Sequence, residues 1–191
     1  MADFYDELTD KLIKFIAEQP MFFTATAAAD GRINLSPKGL DTLRVLDTKT
    51  VGYMDYVGSG NETAAHIARD GRMTIMFNSF TRNALILRLY GRGRIVRPEM
   101  PEWAATASHF PLSEGTRQIV LLDIESLQTS CGWGVPEMTL TQQRDTMDNW
   151  AGKKGEDGLL AYQDANNRTS IDGFDAMLPE ASELKLGNKI S

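Results

Sequence analysis

Much of the usual chemical equipment of an enzyme is scarce in this chain. There is one cysteine, Cys131, among 191 residues. An intrachain disulfide is therefore excluded, and no cluster has zinc-ligand spacing. Only two histidines occur, His66 and His109. His66 falls within an apolar helical pattern and reads as structural. No base lies near Cys131 in sequence, which argues against a thiol nucleophile. Basic residues do not predominate: the net charge is −6, which argues against general binding to nucleic acid or anionic membranes. No apolar run approaches membrane-spanning length. The first six residues, Met1-Ala2-Asp3-Phe4-Tyr5-Asp6, are acidic and lack a secretion signal's basic start and apolar middle. The expected compartment is the cytoplasm. The GxxxxGK[ST], GxGxxG and GxSxG patterns are missing.

The remaining composition suits one soluble domain, with 42% apolar and 24% charged residues. Apolar residues at helical spacing (Phe4, Leu8, Leu12, Phe15, Ile16) predict a helix over 4–18, ending before Pro20. Strands are expected at 21–28 and 32–38, around a tight Asp30-Gly31 turn. A second hairpin, 43–46 with 50–57, turns at 47–49. A short helix is expected at 61–69, strands at 72–77 and 84–97, a helix at 98–109, and a long strand at 117–128. After residue 130 the texture changes. Cys131-Gly132-Trp133-Gly134-Val135-Pro136 cannot be regular structure. Two polar helices (139–150 and 157–167) and a loosely packed tail (168–191) follow. About six antiparallel strands with few helices between them predict a mainly β, α+β fold: a split antiparallel β-barrel with peripheral helices. Residues 1–130 would form the barrel, and 131–191 a loop, helices and tail packed on it or on a partner chain.

Four constellations could carry chemistry. Gly58-Ser59-Gly60-Asn61-Glu62-Thr63 lies between a strand and a helix, where unpaired backbone N–H groups bind anions. Ser59-x-x-Glu62 is also a capping box, which would satisfy those donors internally. Ser36 and Lys38 share the polar face of the 32–38 strand, and Arg44 begins the next. Together they offer the donors and positive charge a phosphate needs, or simply a solvated strand edge. On the 84–97 strand Ile86, Arg88, Tyr90, Arg92 and Arg94 share one face. Arg88, flanked by leucines, is expected to sit deeper and have a partner. That face with Tyr90 could also meet single-stranded nucleic acid. Trp133, between glycines, could cover a flat ligand or plug a dimer groove.

Five segments together, Ile33-Asn34-Leu35-Ser36-Pro37-Lys38-Gly39, Arg44-Val45, Gly58 through Ile67, Gly71-Arg72-Met73-Thr74-Ile75-Met76-Phe77 and Ile86 through Gly93, resemble the pyridoxamine 5'-phosphate oxidase-related flavin-binding family. The similarity spans roughly residues 5–130. It implies a split barrel of the FMN-binding type, a homodimer, and FMN in two equivalent sites at its interface, with deazaflavin or haem as lesser alternatives. By position it implies Arg44 and Val45 at the FMN phosphate and ring edge, and Tyr56 and Val57 at backbone contacts. Asn61, Glu62 and Thr63 would lie in the phosphate turn, Arg88 or residues 78–80 near the rings, and Trp133 at the partner chain or tail. The true oxidases carry an arginine–lysine pair where this chain has Glu62 and Thr63, and a C-terminal arginine–histidine pair that is missing here. The resemblance thus implies an FMN-dependent oxidoreductase acting on a small molecule other than pyridoxamine 5'-phosphate. A flavin- or haem-binding module without turnover is the alternative. No side chain stands out as a catalytic acid or base.

Overall fold

The computed structural model describes residues 2–188. Eight strands form one antiparallel sheet: β1 (Asp3–Tyr5), β2 (Phe22–Thr26), β3 (Asn34–Lys38), β4 (Leu43–Val45), β5 (Thr50–Tyr56), β6 (Arg72–Asn78), β7 (Ile86–Val96) and β8 (Thr116–Ser130). Their order is β3-β2-β6-β7-β8-β5-β4, with β1 pairing to the far end of β8. The helices α1 (Asp10–Ala17), α2 (Glu62–Arg69), α3 (Trp103–Ala107) and α4 (Thr146–Asn166) lie outside the sheet, and a short 3-10 turn spans Ala181–Glu183. This is the mainly β split barrel that the strand pattern predicts. Among the described residues, no helix is long and apolar enough to cross a membrane.

The long strand β8 is buried over seven consecutive residues, Thr116 to Leu122. Strand alternation divides these side chains between two cores. Val120 and Leu122 join Val51, Tyr53, Ile75, Phe77, Leu87 and Leu89 in the main core. Ile119 and Leu121 face Met54, Val96, Trp103 and Phe110. Each fully buried aliphatic side chain contributes roughly 1.5–3 kcal/mol. Pairing passes from Tyr90–Ser126 to Gly91–Ile124, so Glu125 is bulged out. The extra residue flips the parity of β8, letting both Ile124 and Leu127 enter the main core.

Several local expectations change. The helix over 4–18 is shorter: Thr9 caps α1, its side chain accepting from the Leu12 N–H at 3.4 Å. The residues before it pair as β1 with the end of β8, beyond the reach of β5. The tight turn at Asp30-Gly31 is a longer loop (27–33), although Gly31 does adopt a positive φ of 82°. Asp172 in the tail fixes this loop by accepting from the Arg32 backbone N–H and guanidinium. The helix over 98–109 contracts to α3, because Pro98 and Pro101 lie in its expected first turns. The stretch 139–145 is exposed and irregular, and the two expected polar helices merge into α4 across a kink at Gly155. The tail is not loose. Phe174 and Ala176 pack with Ala28, Ala64 and Ala65, the Arg69 guanidinium stacks 4.4 Å from the Phe174 ring centre, and Leu186 packs with Val57, Ala151 and Leu159. The last three positions of the expected tail lie outside the described residues.

Candidate functional site

A cleft of about 710 Å³ opens between β3, the end of β5, the 58–61 turn, the start of α2 and the segment 166–171. Alternation along β3 turns Asn34, Ser36 and Lys38 into it, while Ile33 and Leu35 face outward. Tyr56, Ser59, Asn61, Glu62 and Thr63 line it as well. These residues, nominated from different parts of the chain, converge on one wall.

The floor is a buried ionic group that sequence reasoning missed. Asp55 Oδ1 accepts from Lys38 Nζ at 3.0 Å. Its Oδ2 accepts from Arg117 Nη2 at 2.7 Å and from Gln118 Nε2 at 2.9 Å. Two neighbours on one strand normally point to opposite faces. Here Asp55 pairs with Gln118 but Tyr56 with Thr116, so Arg117 is bulged out of the ladder. The bulge re-aims it to the same carboxylate as Gln118. Burial pushes the Asp55 carboxyl up, but Lys38 and Arg117 outweigh it and hold it well below the usual carboxylate range. Burial likewise works against the Lys38 ammonium, yet the Asp55 carboxylate raises it above its ordinary value. Both stay charged at neutral pH. The signal was present in sequence: Asp55 is a lone carboxylate within an apolar strand, and such a group demands a buried cation.

Arg117 also holds the turn from behind. Its Nη1 donates to the Gly60 carbonyl at 3.0 Å and to Asn167 Oδ1 at 2.7 Å. Asn167 Nδ2 donates to the Gly58 carbonyl at 2.9 Å. The capping-box reading fails here. The residue at the N-cap of α2 is Asn61, and its side chain makes no cap bond. Its Oδ1 instead accepts from Gln118 at 2.9 Å, leaving a buried Nδ2 without a partner among the described residues. Glu62 bridges the cleft wall to the tail, Oε1 accepting from the Ile171 N–H at 3.0 Å. Across the cleft, Asn34 Nδ2 donates to Thr63 Oγ1 at 3.2 Å, and Ser36 Oγ donates to Asn34 Oδ1 at 3.1 Å. Burial pushes the Tyr56 phenol up.

The other nominated residues lie elsewhere. Arg44 and Val45 line a second, more apolar cleft of about 330 Å³, which meets the first only at Gly39 and Thr42. The Arg44 guanidinium is held by the Asp41 carboxylate at 2.9 and 3.1 Å, and by the carbonyls of His109 and Leu43. Lys38 and Arg44 therefore do not form one clamp. Val57 is buried beneath the turn. Arg88 does have a partner, donating to Ser130 Oγ at 3.2 Å, but it lines neither cleft. Trp133 is 85% exposed in the loop after β8. Arg94 pairs with Asp123, and Arg92 with Asp70 and Glu125, so that strand face offers no free basic stripe.

Comparison with known proteins bears on the family and the fold. The family model described as pyridoxamine 5'-phosphate oxidase matches residues 8–131. The pyridoxamine 5'-phosphate oxidase family protein ustO of Aspergillus flavus is 39% identical over 151 residues. The match covers 76% of this chain and 61% of that relative, so the chain spans only about three-fifths of the relative's length. Among solved structures, HupZ of Group A Streptococcus superposes with a TM-score of 0.50 at 23% identity, covering 63% of this chain and 91% of HupZ. A single-residue variant of HupZ superposes at 0.52 and 21% identity, covering 64% of this chain and 98% of the variant. These two likenesses concern the fold.

Proposed function

The chain belongs to the pyridoxamine 5'-phosphate oxidase family, and from that premise we propose that it is a flavin-dependent oxidoreductase that holds FMN in the larger cleft. The observation that carries this reading is the convergence of Ser36, Lys38, Ser59, Asn61 and Thr63 on one cavity of about 710 Å³. That size lies within the range of small-molecule and cofactor sites. The donor set fits a flavin's polar chain. It combines hydroxyls, one ammonium, the first-turn N–H groups of α2 and the unpartnered Asn61 Nδ2. Bound there, the flavin supplies the redox chemistry. Lys38 keeps its charge through Asp55, and Arg117 with Asn167 fixes the turn by its carbonyls. Residues 167–173 lack the arginine–histidine pair that the true oxidases use for pyridoxal phosphate, which supports a substrate other than pyridoxamine 5'-phosphate. Neither histidine lines either cleft, which favours flavin over haem.

The outward face of β3 supports a homodimer. Ile33, just before β3, and Leu35 on it are 75% and 65% exposed at one end of the sheet order.

The test is a visible spectrum of freshly purified protein, mass spectrometry of the released small molecule, and reduction by NADH or NADPH. Yellow protein that releases FMN and is reduced by either nucleotide is expected. Yellow protein that neither nucleotide reduces would favour the module without turnover. Colourless protein that takes up no added flavin would overturn the proposal.

A further inference from the structure

We infer that the cleft recognises a neutral, hydroxylated chain and gains little from a dianionic phosphate, so that riboflavin binds about as well as FMN. This rests on the flavin reading above and concerns which part of the ligand is gripped.

The argument is a count of charge at the cleft wall. Among the described residues, four groups charged at neutral pH line it: Lys38 on β3, Asp55 on β5, Glu62 on α2 and Arg117 on β8. Two are cations and two are carboxylates, so their sum is zero. Geometry withdraws one charge of each sign, because Arg117 and Asp55 are equally buried and paired with each other, which leaves Lys38 against Glu62. The Arg117 side chain is only 4% exposed. Its terminal nitrogens are committed to Asp55, the Gly60 carbonyl and Asn167. Lys38 gives one donor to Asp55 and keeps two. Arg44, the other cation considered for this role, is locked by Asp41 in the neighbouring cleft.

The second element is Glu62. It occupies the first turn of α2, where a helix presents the positive end of its dipole. A carboxylate there neutralises the field that a phosphate would use. The Ile171 N–H fixes it in place at 3.0 Å.

What remains at the wall is neutral. Ser36, Ser59, Thr63, Thr169 and Asn34 line the cleft. Hydroxyls and amides both donate and accept. A ribityl chain also does both, whereas a phosphate dianion can only accept.

The experiment is fluorescence titration of flavin-free protein with riboflavin and with FMN at moderate salt. In the native protein the two dissociation constants should agree to within about tenfold, about 1.4 kcal/mol. FMN tighter than riboflavin by more than that overturns the inference while leaving the flavin reading standing. Binding of neither flavin overturns both. The variant Glu62→Gln keeps an acceptor for the Ile171 N–H and removes the charge. It should tighten FMN by about threefold or more with riboflavin unchanged, because only the phosphate responds to that charge. An equal change for both flavins, or none for FMN, would also overturn it.

Discussion

At the scale of single residues, Asp55 organises the site. Its side chain is 4% exposed and is met by two cations and an amide. A buried pair of this kind is weak evidence of net stability, yet removing one partner is costly because the other charge stays behind. Lys38, 25% exposed, can rehydrate; Arg117 cannot. Asp55→Asn should therefore destabilise the fold by about 3–5 kcal/mol, measured by urea unfolding at neutral pH. The pH dependence has a defined sign. Asp55 has a folded pKa held below its ordinary 3.8, so the unfolded chain binds more protons in acid. Its contribution is complete above that ordinary value and is lost as pH falls below it. Native protein should lose stability on acidification through this window, and Asp55→Asn should show a shallower acid limb. Equal acid limbs in the two proteins would remove Asp55 from this role. The sequence pattern marked Lys38 and the glycine turn. A lone carboxylate in an apolar strand signals that Asp55 needs a buried cation, but not which one, because Arg117 stands 62 positions away.

Among elements, what was legible followed from periodicity, and what was not followed from breaks in it. The strand-like runs at 32–38, 43–46, 50–57, 72–77 and 84–97 read directly into β3 to β7, and Leu87 and Leu89 do enter the core. Bulges carry no comparable signature. Those at Arg117 and Glu125 each shift pairing by one residue. The first builds the ionic floor of the cleft, and the second keeps β8 in the core. Gly91 lies opposite the second, where an added Cβ would run into the Asp123 carbonyl. Because that obstacle is backbone, it cannot swing aside. Gly91→Ala should cost about 3 kcal/mol, the upper end for overpacking, seen as a lower Tm. A Tm unchanged from the native protein would mean that the bulge can slide. The tail was misread for a related reason. Residues 168–188 show no period, and their anchors are single long-range contacts: Asp172 to Arg32, Glu62 to Ile171, and Arg97 to the carbonyls of Ala176 and Met177.

For the whole molecule, β3 joins the two halves of the proposal. One face lines the cleft with Asn34, Ser36 and Lys38, and the other presents Ile33 and Leu35 to solvent. A soluble monomer would place its apolar side chains the other way round. The inversion makes sense if a second copy covers the outer face, and an end strand with unpaired backbone groups suits such pairing. A stable interface buries roughly 1,200–2,000 Å² in total, of which these two side chains would form the apolar centre. Removing two such side chains from an interface should weaken association by roughly 3–6 kcal/mol, enough to release monomers at micromolar concentration. The double variant Ile33→Glu, Leu35→Lys should therefore sediment as a monomer with native circular dichroism, and the native chain should sediment as a dimer. A dimer that survives both changes would move the interface elsewhere, to the exposed Trp133, Met138 and Leu140 of the loop after β8. A native chain that is monomeric at all concentrations would remove the dimer from the proposal altogether.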